Sequence, residues 1–151
     1  MRASRVFTVL AAVALVGVAC EDDATGIPSG VEIFVADLSG AKERPTPVTS
    51  TASGRAVITV LGNLVSWKVD VADFDSVTIG HIHKGVADSA GGVMVNLSPT
   101  PTDLNFTGTI ATGSLTVHDS VLTHMRNGRA YVNIHSNGNP GGEIRGQTVR
   151  Q

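Results

Sequence analysis

With 151 residues, the chain has room for one compact domain and too little for two of ordinary size. A net charge of -2 leaves no basic excess, which argues against a nucleic-acid partner. One cysteine excludes an internal disulfide framework, and 17 glycines among many valines and threonines point to short strands cut by frequent turns.

At the N-terminus, Arg2 and Arg5 precede Val6 to Ala19, a run that is apolar or small apart from Thr8. A charged stretch followed by an apolar one of this length is the layout of an export signal, too short to span a bilayer comfortably. The run stops at Gly17-Val18-Ala19-Cys20, and Glu21, Asp22 and Asp23 follow. This resembles a bacterial lipoprotein signal, and the resemblance implies that Cys20 is lipidated on sulfur and becomes the new N-terminus. Val18 and Ala19 are small enough for the peptidase to close on the chain, whereas Gly17 stands where that family usually has Leu. The alternative is an ordinary secretory signal with an incidental cysteine. The expected organisation is a signal over 1–19, a linker over 20–30 and one domain over 31–151. The protein is then exported and held at a membrane of the cell envelope by the lipid on Cys20.

From Val31 the apolar residues recur with period two. Glu32 to Leu38 reads as a strand with Phe34, Ala36 and Leu38 on one face, and Ser39 to Ser53, with Pro45 and Pro47, as a loop. Arg55–Leu61 and Leu64–Ala72 form a hairpin around Gly62-Asn63. In its second arm Val65, Trp67, Val69 and Val71 share a face, and Trp67 is the candidate core anchor. Further strands are expected over Val77–His83, Val93–Leu97, Phe106–Leu115, Ala130–His135 and Glu143–Val149. One short helix is expected after Asp119 as N-cap, ending at Gly128, with Val121, Leu122 and Met125 on its apolar side. The fold class is all-β, a Greek-key sandwich or barrel of about eight strands.

Four blocks stand in order along this pattern: Phe34-Val35-Ala36-Asp37-Leu38-Ser39-Gly40-Ala41, Gly80-His81-Ile82-His83-Lys84-Gly85, Tyr131-Val132-Asn133-Ile134-His135, and Asn139-Pro140-Gly141-Gly142-Glu143-Ile144-Arg145-Gly146-Gln147. Together they resemble the CHRD domain, named for chordin and common in bacterial envelope proteins. The resemblance covers nearly all of the expected domain. It implies an extracytoplasmic binding module and names no activity.

His81 and His83, two apart on one strand, share a face opposite to Ile82. Val132 and Ile134 turn Tyr131, Asn133 and His135 away from the core, and Ile144 does the same for Glu143, Arg145 and Gln147. His81, His83 and His135 are therefore a candidate N₃ metal set, suited to copper or zinc. A weaker resemblance supports copper. Copper/zinc superoxide dismutases are Greek-key barrels with a His-x-His strand, a later strand ending in His, a glycine-rich loop and a functional Arg. The order of His81, His83, His135 and Arg145 is similar. No disulfide pair and no histidine in the Lys84 to Gly92 loop are present, so a zinc subsite is missing and the fourth copper ligand is unassigned. The resemblance implies a copper-only site with Arg145 as a catalytic residue that attracts superoxide.

A blander reading has the three histidines pinning glycine-rich loops to the sheet, with Arg145 and Glu143 on a solvated face or in a weak ion pair. Two functional classes remain. The first, and the preferred one, is an envelope module binding a protein, glycan or small ligand, with copper as a candidate cofactor. The second is a copper-dependent enzyme of dismutase type. In the sequence only the histidine set bears on the choice between them.

Overall fold

The computed structural model describes residues 28–151, so the expected signal, Cys20 and most of the 20–30 linker lie outside the described residues. From Val31 onward the chain forms β1 (Val31–Ser39), β2 (Ser53–Leu61), β3 (Leu64–Phe74), β4 (Val77–Lys84), β5 (Val93–Asn96), β6 (Phe106–Thr116), helix α1 (Asp119–Arg126), β7 (Ala130–Ser136), β8 (Ile144–Gln147) and β9 (Val149–Arg150). The strands make one antiparallel sheet in the order β5-β4-β7-β8-β1-β2-β3-β6, with β9 beside β1. The connections β3 to β4, β5 to β6 and β6 to β7 leap across this order, which is the Greek-key trait.

The sheet curls into a half-barrel around its apolar face. Twist supplies part of the curl, and register shifts between β3 and β6 at Val69/Asp70 and Val71/Phe74 add to it. The end strands β5 and β6 do not pair with each other. The chain after β5 bridges that opening: Trp67 Nε1 donates to Leu97 O at 3.2 Å, and Thr100 N–H to Ile110 O at 2.7 Å.

The inner face is the one that alternation predicts. Val65, Trp67, Val69 and Val71 are buried with Phe34, Ala36 and Leu38 of β1, Ile58 of β2, Ile82 of β4, Val132 and Ile134 of β7 and Ile144 of β8. Gly113 lies opposite Trp67 in the β3–β6 register, and a Cβ there would stand 2.6 Å from the indole. A glycine inside the strand therefore makes the seat of the core's largest ring.

Two local expectations are corrected. The N-cap of α1 is His118, whose Nδ1 accepts from Ser120 N–H, while Asp119 falls in the first turn and accepts from Asn63 Nδ2. The last strand is broken at Thr148, whose N–H and hydroxyl both donate to Ala130 O, at 2.9 and 3.0 Å. Beyond this pair of hydrogen bonds to one carbonyl, Val149 and Arg150 pair with β1.

Candidate metal centre

β7 lies between β4 and β8, and its register builds the site. Ile82 faces Val132, and both enter the core. His81, opposite Asn133, and His83, opposite Tyr131, therefore turn to the outer face. Arg145 pairs with Asn133 from the other side, and Gln147 pairs with Tyr131. His135, two residues beyond Asn133, reaches His81 on the diagonal. The strands bring His81, His83 and His135 together; His118 and His124, on or beside α1, stay outside the cluster.

The outer face is covered, which alternation alone does not foretell. Every residue of β7 is buried. Three loops fold over it. From the loop after β4, Gly91 O receives a bond from His83 Nδ1 at 2.8 Å, and Gly91 also bonds the Tyr131 hydroxyl. From the loop after β7, Pro140 O receives one from His135 Nδ1 at 2.9 Å. From the loop after β1, Glu43 Oε2 accepts from Asn133 Nδ2 at 3.4 Å.

Arg145 and Glu143 are thus not on a solvated face: they are 2% and 7% exposed. Glu143 accepts from Ser50 Oγ at 2.7 Å. Arg145 Nη2 donates to Val86 O and Ser89 O at 2.9 and 2.8 Å, and its guanidinium sits 3.6 Å from the Tyr131 ring centre. Period two reports which face a side chain takes; whether loops cover that face is a tertiary fact.

The protons on the imidazoles follow from their partners. A carbonyl only accepts, so Nδ1 of His83 and of His135 carries the hydrogen, and Nε2 of each neutral ring keeps its lone pair. Nε2 of His83 is buried with no hydrogen-bond partner among the described residues. Nε2 of His135 lies 3.3 Å from Nδ1 of His81. One nitrogen of each ring falls within 4.8 Å of the other two. Burial lowers the pKa of His81, helped by the neighbouring His135 and His83. Burial also lowers that of His83, against the bond to Gly91 O. Low pKa values keep these rings neutral, the form that ligates. In His83 and His135 loop pinning and a lone pair for ligation coexist, because each uses a different nitrogen of the ring.

Comparison with curated proteins and with solved structures finds no match. The CHRD domain family matches residues 34–148, from the middle of β1 to the residue before β9. That span holds the three histidines, Tyr131, Arg145 and the loops that cover them, and it makes the chain a member of the CHRD domain family.

Proposed function

We propose that this CHRD domain is an exported envelope module, anchored by lipid on Cys20, that binds copper through His81 Nδ1, His83 Nε2 and His135 Nε2. The carrying observation is the cluster: one nitrogen of each ring lies within 4.8 Å of the other two, and Nε2 of His83 is buried with no partner among the described residues. The carbonyl bonds to the far nitrogens of His83 and His135 are the outer-shell bonds that orient ligating imidazoles and raise their basicity. Neutral imidazole suits copper and zinc, and copper(II) stands above zinc in intrinsic affinity for such a set. Bound copper supplies a redox-active ion.

The binding reading is preferred to the dismutase reading because of Arg145. Its Nη2 is committed to two loop carbonyls, and Tyr131 comes between it and His83. Those contacts fit an anchor for the loop better than a group that draws in superoxide.

Titration of the purified protein with copper and with zinc, followed calorimetrically, tests the metal. Copper is expected to bind at about one equivalent, more tightly than zinc. His83→Ala and His135→Ala weaken it sharply, whereas His124→Ala leaves it unchanged. Absence of saturable binding, or indifference to both cluster variants, overturns the reading.

A further inference from the structure

The loops that cover the outer face over β7 leave it open over much of β1, β2 and β3. On β1, Val31, Ile33 and Val35 alternate with the core residues Phe34 and Ala36, so they face outward. Their partners on β2 are Leu61, Thr59 and Val57. Leu61 pairs in turn with Leu64 of β3, and Val149 of β9 pairs with Val35 from the other side. Cross-strand partners share a face, so these side chains form one continuous band. Its large members Val57, Leu61, Leu64 and Val149 are between 37% and 58% exposed.

The character of the face changes along the strands. None of the band's residues is charged, whereas the positions next to it hold two ion pairs, Arg55 with Asp37 and Lys68 with Asp70. Apolar side chains gathered at one end of a face, with charge confined to the other, mark an interaction surface; singly scattered ones do not.

The path of the chain selects the occupant. Val31, the first residue of the band, is also where the chain enters the sheet, and residues 21–30 separate it from Cys20. Fully extended, that stretch reaches at most about 35 Å. With lipid on Cys20 the band therefore stays beside the bilayer, and its contact with lipid is an intramolecular event at high effective concentration. A second copy or another protein gains no such advantage from the tether. The headgroup preference follows from charge. The band offers no cation, and Glu21, Asp22 and Asp23 stand next to the anchor, so anionic lipid is not favoured.

We infer that Val31, Ile33, Val57, Leu61, Leu64 and Val149 form a membrane-contact band that lays this end of the outer face on a zwitterionic bilayer. The inference rests on the anchoring of Cys20 and adds the face by which the anchored domain meets the lipid. Burial of apolar side chains at the headgroup boundary supplies the attraction.

Cys20 is the chain's one cysteine, so in the lipidated protein an introduced cysteine is the only free thiol. Leu61→Cys is compared with Thr46→Cys, which lies in the exposed loop at the opposite end of β1. Each carries a polarity-sensitive fluorophore and is reconstituted in phosphatidylcholine vesicles, with the lipid on Cys20 verified by mass. The label at the Leu61 site is expected to report an apolar setting and to be quenched by a lipid-borne quencher several-fold more than the label at the Thr46 site. Leu64→Glu combined with Val149→Glu, both exposed changes, returns it to a water-like signal while the protein stays with the vesicles. Equal signals from the two sites in lipidated, vesicle-bound protein overturn the band and leave the anchor standing. An unmodified Cys20 removes the anchor and the band with it. Shielding that vanishes as the protein is diluted in excess lipid assigns the face to a second copy and overturns the inference. Shielding that appears only when phosphatidylglycerol is added overturns the zwitterionic assignment.

Discussion

Tyr131 lies flat against His83, with ring centres 4.9 Å apart and 7° between the planes. Arg145 approaches the same ring from β8, so Tyr131 couples the metal candidate His83 to the buried cation. The stack and the Gly91 carbonyl together fix the orientation of the His83 imidazole.

Replacement of Tyr131 separates those roles. Tyr131→Phe keeps the stack and removes the bonds to Gly91, which lowers stability by about 1 kcal/mol in urea unfolding. Tyr131→Ala removes the ring, costs about 3–5 kcal/mol and weakens copper binding more than the Phe change does. Equal stability and equal copper affinity in the two variants refute this account of the stack.

The core makes a simpler demand. Trp67→Ala empties the space between β3 and the chain after β5, and unfolding free energy is expected to fall by about 3–5 kcal/mol. Gly113→Ala pushes a methyl against the same indole and also destabilises, by about 1–3 kcal/mol. A loss of only a few tenths in either variant places the indole outside the packed core.

The strands and the inner face were legible because alternation survives folding: Ile82, Val132 and Ile134 are core residues as their spacing implies, and the histidines are opposite them. The cover over that opposite face was not. Gly142 shows why. It lies in a stretch that reads only as a glycine-rich loop, yet it has φ 130° and a Cβ there would stand 2.5 Å from the Asn133 amide. The glycine is needed by a neighbour nine residues earlier in the chain, and no periodicity records such a contact.

The anchor is tested away from the domain. Under the lipoprotein reading, Cys20→Ala releases the protein from the membrane fraction or leaves an uncleaved precursor. Fractionation with mass measurement of the product reads either result. A soluble, identically processed product in both the natural and the altered chain removes the lipid from the proposal.

Glu43 gives stability a pH dependence of unusual sign. Its carboxyl is 3% exposed, Oε1 has no partner among the described residues, and Oε2 has a long bond to Asn133. Burial raises its pKa to about 7, against the attraction of Arg145. A carboxyl whose folded pKa exceeds its unfolded value binds a proton more tightly when folded. Its contribution is therefore fully present below the ordinary value of 4.5 and is lost as pH rises to about 7. His81 and His83, with lowered pKa values, act in the opposite sense and lose stability as pH falls below 6.5. Glu43→Gln isolates the first effect, because the amide is neutral throughout. The stability of the natural protein relative to the variant is expected to fall by up to about 1.4 kcal/mol per pH unit inside that window and to level off on either side. Urea unfolding of both proteins at a series of pH values measures the difference. A difference that stays flat, or rises with pH, means that Glu43 is charged in the folded protein and that the cover over β7 holds an ion pair with Arg145 instead of a neutral acid.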